Sequence, residues 1–209
     1  MDEDRLLGRK RYTPYKDPLA IFLIIAALIL LCSVLFAVRF VGIYVKGSSM
    51  SPTLTGAEDE NGPGGDYLYA DTYAMPDYGD IVVVKKPNTT TLIKRVIAMG
   101  GDAVYIDHGT VFISYGNSGD FVALEEDYVL EENNDPDLPH NTYRSAEDPL
   151  IVGENQLFVL GDNRGNRYAT SLDSRTYGTF SYDELIGVVP DWSVNMKGFF
   201  TAIYTFFAF

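Results

Sequence analysis

One serine in the chain is placed as a nucleophile would be. Ser49 lies in Gly47-Ser48-Ser49-Met50-Ser51-Pro52-Thr53-Leu54, just after an apolar run over residues 40–45 that reads as a strand. Glycine behind it and a proline turn ahead hold the hydroxyl at an edge. Pro52 fixes its own φ and biases Ser51 towards extended backbone. A hydroxyl attacks only when a base removes its proton. The two histidines, His108 and His140, are far apart and lack cysteine or acidic neighbours at metal-ligand spacing. A Ser-His-Asp triad and a zinc site are therefore both poor readings. Lysine is the remaining base. Lys94 sits in Thr91-Leu92-Ile93-Lys94-Arg95-Val96, and burial in such surroundings disfavours the ammonium form. Arg95 would depress it further if the two heads were close, although neighbouring strand residues point to opposite faces. Taken singly, Ser49 also reads as a polar turn and Lys94 as a solvated strand lysine. A third stretch changes the balance: Gly161-Asp162-Asn163-Arg164, followed by Ser171-Leu172-Asp173-Ser174-Arg175.

These residues need elements to position them. The chain has 209 residues, among them 15 Tyr and 12 Phe, which is enough for one cored domain with attachments. A net charge of −13, with no basic patch to track a groove, argues against nucleic acid as a partner. Cys32 is the lone cysteine and lies in an apolar run, so neither a disulfide nor a metal site follows. Residues 19–38 are uncharged. As a helix they would cover roughly 30 Å, the thickness of a bilayer core. The run is too long for a cleavable signal peptide and lacks a small-x-small site after it, so it reads as a retained anchor. Arg5, Arg9, Lys10, Arg11 and Lys16 precede it, and only Arg39 and Lys46 closely follow. The positive-inside rule then makes residues 1–18 a cytoplasmic segment, 19–39 the single span of the cell membrane, and the remainder extracellular.

Beyond the anchor, residues 55–66 read as a solvated surface excursion. Residues 67–70, 81–84, 91–99 and 156–160 read as strands, and 104–106 with 111–113 as a hairpin around Asp107-His108-Gly109. Residues 117–150 read as a polar insertion carrying an isolated strand around Tyr128. Short strands between Gly, Asp and Pro turns predict a mainly β chain, with an all-β barrel or sandwich over 40–197. The aromatic, uncharged tail 198–209 is too short to span a bilayer. It is expected either to dock in the headgroup zone or to pack on the domain.

Four stretches, in this order, resemble the boxes of bacterial type I signal peptidases, nearest to the compact single-anchor form of Gram-positive-type bacteria. Gly47 to Leu54 is similar to their G-x-S-M-x-P-T-L box, and Tyr78-Gly79-Asp80-Ile81-Val82-Val83-Val84 to their G-D-I-V-V strand. Ile93-Lys94-Arg95-Val96 with Gly101-Asp102 resembles their lysine box. Gly161-Asp162-Asn163-Arg164 and Ser171-Leu172-Asp173-Ser174-Arg175 resemble the last, G-D-N-R-x-N-S-x-D-S-R. The resemblance implies a signal-peptidase-like β domain and a serine endopeptidase that removes signal peptides from exported preproteins after a small-x-small site. Ser49 matches the nucleophile and Lys94 the general base. Ser171 matches a hydroxyl that orients the lysine amine, and Asp173 and Arg175 a supporting ion pair. The Ser49 N–H matches an oxyanion donor. Val45, Met50, Leu92 and Ile93 would line small apolar pockets beside an extended peptide added to strands 43–45 and 91–93. No metal or cofactor is implied, and the partners are preproteins and the phospholipid membrane.

Two departures stand out. Gly47 occupies a position where some members carry a serine that donates to the oxyanion, so the second donor is unassigned. Arg167-Tyr168-Ala169-Thr170 looks inserted before Ser171, which makes Thr170 an alternative orienter. Three other readings stay open: a self-cleaving Ser-Lys peptidase of the repressor type, an anchored accessory or binding protein with a degraded site, and a peptidase dedicated to a narrow set of surface subunits.

Overall fold

A computed structural model describes residues 17–58, 62–87, 89–165 and 171–208. The inserted residues 167–170 and the basic residues before position 17 lie outside these. The chain divides into two units, residues 1–39 and 40–209. In the first, α1 (Pro18–Arg39) is a single helix, long and apolar enough to cross a membrane, with no buried residue. It is apolar all round, as a spanning helix must be.

The second unit holds eleven strands: β1 (Phe40–Tyr44), β2 (Tyr67–Asp71), β3 (Ile81–Val84), β4 (Leu92–Met99), β5 (Ala103–Asp107), β6 (Thr110–Ser114), β7 (Val122–Ala123), β8 (Leu150–Ile151), β9 (Gln156–Leu160), β10 (Phe180–Ser181) and β11 (Leu185–Val189). They form a seven-stranded sheet, ordered β1-β2-β11-β3-β4-β9-β10, and a four-stranded sheet, ordered β7-β6-β5-β8. All the strand pairings are antiparallel.

The unbroken Ile-Val-Val-Val run of β3 is explained by burial on both faces. Ile81 and Val83 enter one apolar cluster with Val45, Met50 and Leu68, while Val82 and Val84 enter another with Val96, Val159 and Phe180. A register shift between Val96 and Ala98 bends β4 against β9. Ile97 and Ala98 thereby join a third cluster with the β5–β6 hairpin. In that hairpin His108 and Gly109 both take positive φ, 46° and 82°, the geometry a two-residue turn requires.

The domain is mainly β, as expected, and also carries α2 (Ser174–Tyr177), α3 (Asp191–Asn195) and α4 (Lys197–Ala208). The surface excursion over 55–66 is tied to the domain near its two ends. Ala57 bridges Lys46, and the Asp66 N–H donates to the Thr55 carbonyl at 2.8 Å while the Thr55 N–H donates to the Asp66 carboxylate at 2.8 Å. No strand forms around Tyr128, which sits in a turn; the short strand of this region is β7, earlier in the chain. The tail packs on the domain. Thr201 Oγ1 accepts from the Tyr67 N–H at 2.8 Å, and the Tyr204 ring stacks on Tyr67 at 4.5 Å.

Candidate active site

β1 delivers the chain into the Gly47–Leu54 turn, and β4 carries Lys94. β3 pairs with β4 so that Val82 stands opposite Lys94, and Lys94 is 2 % exposed. Its Nζ lies 2.6 Å from Ser49 Oγ and donates to the Ile93 carbonyl at 2.8 Å. Burial pushes the lysine down to about 8, with Arg175 acting the same way and Asp173 and Asp162 acting against it. The depressing cation is Arg175, not Arg95. Arg95 takes the opposite face of β4, where its Nε and Nη2 grip the Asp162 carboxylate at 2.9 and 2.6 Å.

The Gly161–Arg164 turn closes the site from the other side. The Asn163 N–H donates to the Ser49 carbonyl at 3.1 Å, and Asn163 Nδ2 to the Ser48 carbonyl at 3.3 Å. Thr53 Oγ1 donates to Asp162 at 2.5 Å, which ties the serine turn to the same carboxylate. Gly161 is required by close approach: a Cβ there would lie 2.5 Å from Ser171 Oγ and in hard contact with the Ser49 carbonyl oxygen. Gly161→Ala is therefore expected to displace the serine turn. A misplacement near 1 Å costs about 10²-fold in rate. Steady-state cleavage kinetics, with a melting curve to confirm folding, would show it; unchanged kinetics would mean the turn relaxes freely.

Behind the lysine, Asp173 is fully buried and caps α2 by accepting from the Arg175 N–H at 3.1 Å. Arg175 Nε and Nη2 reach the same carboxylate at 3.0 and 2.8 Å. Burial alone would raise the Asp173 carboxyl, but these Arg175 bonds outweigh it and hold it below the usual range. Ser171 is 6 % exposed. Its Oγ has no well-formed hydrogen bond among the described residues, yet it lies close enough to Asp173 to help keep that carboxyl ionised.

Two open cavities flank the Ser49–Lys94 contact. One, of about 200 Å³, is lined by Gly47, Ser48, Leu92, Asn163, Ser171 and Leu172 besides the pair itself. The other, of about 340 Å³, runs between Ile43–Lys46 and Thr90–Lys94. Val45, Leu92 and Ile93 line this second cavity; Met50 lies in the core beneath it, 1 % exposed. β1 is an edge strand. β9 pairs β4 only from Arg95 onward, so the outer edge of Leu92–Lys94 carries no strand partner from β9.

Glu126 and Tyr128 were not identifiable from the sequence. Glu126 forms a two-pronged ion pair with Arg164, through Nη1 at 2.9 Å and through Nη2, and also accepts from the Tyr128 hydroxyl at 2.7 Å. The Arg95 guanidinium lies 4.0 Å from the Tyr128 ring centre. Arg164, 1 % exposed, donates from Nε to the Gly161 carbonyl at 2.9 Å. An acidic triplet in a polar stretch carries no signal that one of its members is buried against an arginine 38 positions away.

The chain is similar to known proteins of one family. Residues 18–192 match the family described as signal peptidase, peptidase S26. Signal peptidase I P of Bacillus subtilis subsp. natto is 30% identical over 173 residues, covering 78% of this chain and 84% of its own. Signal peptidase IB of Staphylococcus aureus is 28% identical over 152 residues, covering 69% of this chain and 73% of its own. A crystal structure of a signal peptidase I from Enterococcus faecalis is 30% identical and aligns to 56% of this chain and 98% of its own, with a TM-score of 0.40. With a family match that runs from the apolar helix through the last strand, this chain belongs to the signal peptidase family, peptidase S26.

Proposed function

We propose that this signal peptidase removes N-terminal signal peptides from exported preproteins after a small-x-small site, with Ser49 as nucleophile and Lys94 as general base. The observation that carries the reading is the 2.6 Å approach of Lys94 Nζ to Ser49 Oγ, by an amine that burial holds at about 8. A neutral Lys94 keeps its bond to the Ile93 carbonyl and turns its lone pair to the serine, so the Ser49 hydroxyl then donates to it. Ser49 Oγ attacks the scissile carbonyl carbon as its proton passes to Nζ. The oxyanion collapses, the C–N bond breaks, and Nζ returns the proton to the departing amine. Water, deprotonated by Lys94, then hydrolyses the ester and frees the signal peptide as a carboxylate. The Ser49 N–H serves the oxyanion; losing one such donor typically costs about 10²–10³ in rate.

The edges of β1 and of Leu92–Lys94 suit an extended peptide lying between them, hydrogen-bonded as an added strand. The modest cavities on either side favour small residues at −1 and −3. α1 supports a membrane anchor, with the N-terminus cytoplasmic and the domain over 40–197 extracellular. Protease protection of that domain in right-side-out cells would reverse the assignment.

The test is a cleavage assay with the full chain in detergent and phospholipid, using a preprotein with an Ala-x-Ala site. A new N-terminus immediately after the second alanine is expected. No cleavage of any of a panel of preproteins by a folded enzyme would favour the accessory-protein reading. Ser171 is proposed to orient the Lys94 amine, so Ser171→Ala is expected to lower kcat about tenfold, more than Thr170→Ala does. The reverse order would assign the orienting hydroxyl to position 170. Because the Ser171 hydroxyl is buried and poorly bonded, its loss should leave the melting temperature unchanged or raised.

A further inference from the structure

The tail helix α4 is built the wrong way round for water. Lys197, Thr201, Tyr204 and Thr205 lie on its partly buried side, together with Phe200, which packs on Tyr69 and Trp192. Its exposed side is Phe199 at 58%, Ile203 at 45%, and Phe206 and Phe207 at 81% each. A surface helix in water shows the opposite arrangement, with its apolar stripe on the core and its polar face out. The polar residues are held inward by specific bonds. Thr201 accepts from the Tyr67 N–H, and Lys197 Nζ donates to the Thr53 carbonyl at 2.6 Å and pairs with Asp66 at 3.2 Å. Between Trp192 and Ala208, Lys197 is the only charged residue in a chain of net charge −13. Nothing acidic on the stripe opposes an anionic surface.

We propose that the outer face of α4 lies in the headgroup zone of the bilayer, a second membrane contact besides α1. The proposal rests on the reading that α1 spans that bilayer. The tether supplies the reason to choose lipid. Phe40 follows Arg39 with no linker, and its ring meets Trp192 edge-on at 5.4 Å, which in turn meets Phe200 at 5.9 Å. The aromatic cluster that begins at the tether therefore continues into α4, keeping the apolar stripe within reach of the membrane. Phenylalanine and tryptophan suit this zone. A second copy of the chain is a weaker occupant. A helix of this length presents a face of about 18 by 10 Å, far below the roughly 800 Å² per partner of a stable dimer.

The test places probes on the full chain in vesicles of phosphatidylcholine and phosphatidylglycerol. Bimane on the native Cys32, which is exposed on α1, reports the anchor. In a Cys32→Ser background, bimane at Phe206→Cys reports α4, and bimane at Asp148→Cys reports an exposed loop. The probe at 206 should lose most of its emission to lipids brominated near the glycerol end of the acyl chain and little to aqueous iodide, with the reverse at 148. The single Trp192 should be quenched by the same lipids in the unmodified chain, which keeps the result independent of any substitution. Quenching at 32 with iodide access at 206 equal to that at 148 would overturn the proposal and leave the anchor intact. Absence of lipid quenching at 32 would overturn the anchor reading itself. Disulfide dimers of the unlabelled Phe206→Cys variant that persist on dilution with empty lipid would assign the face to a second copy and overturn it too.

Discussion

Ser49→Ala and Lys94→Met are each expected to lower turnover of an Ala-x-Ala preprotein by about 10⁴–10⁶, the scale on which removing one member of a nucleophile–base unit acts. Each leaves the other group present but idle. A serine without its base is a weak nucleophile, and a buried amine without the hydroxyl has no proton to take. The double variant should therefore be no worse than either single one. In the unmodified enzyme kcat/KM should rise with pH around a midpoint of about 8, because only the neutral amine accepts the serine proton. The same shift carries a stability consequence. The folded lysine binds its proton less tightly than an unfolded one, so stability contributed at this position falls as pH drops from the unfolded value, about 10.4, through the folded value. Lys94→Met, which fills the site without a charge, should then be at least as stable as the parent at neutral pH. Thermal melts beside the kinetics check both points. Residual turnover within tenfold of the parent in either single variant would remove Ser49 and Lys94 from the chemistry.

Asp173→Asn tests the charges behind the lysine. Asp173 is fully buried, and Arg175 holds it through two side-chain bonds and one backbone bond. Breaking one partner of such a pair costs about 3–5 kcal/mol, because the other charge stays buried. At this chain size each kcal/mol moves the melting temperature by about 2–4 °C. Asparagine remains a good helix cap, so the loss reports charge and not capping. The pH profile separates this effect from simple loosening. Among its charged neighbours, Asp173 does most to raise Lys94, and Arg175 lowers it. With the carboxylate gone and the guanidinium still charged, the rise in kcat/KM should move below the parent's midpoint. The stability difference should be full at neutral pH. It should shrink under acid, since the depressed Asp173 carboxyl contributes stability that is lost as it protonates. A destabilised variant with an unmoved pH profile would show that Asp173 supports the fold without tuning the lysine.

The apolar run of α1, the Ile-Val-Val-Val of β3 and the Asp107-His108-Gly109 turn were legible because each is decided by neighbours in sequence. Helix, strand and turn preferences act over a few residues, and a run without charge is apolar in any fold. The order of the four boxes was legible for the same reason: it is a property of the string. What surrounds each side chain was not. Lys94 reads alike whether solvated or 2 % exposed; only the pairing of β4 with β3 and the closure of the Gly161–Arg164 turn bury it and bring Nζ to Ser49. Spacing left open whether Arg95 faces the lysine; strand alternation sends it to Asp162, and the fold brings Arg175 to act on Lys94 instead. Glu126 looked like one of many solvated acids until the fold set it against Arg164. The tail's composition allowed either packing or membrane docking, and only the helix's placement on β2 turned Lys197, Phe200, Thr201 and Tyr204 inward and Phe199, Ile203, Phe206 and Phe207 outward. Burial and long-range charge pairing are sums over residues distant in sequence, which is why tertiary structure alone decides them.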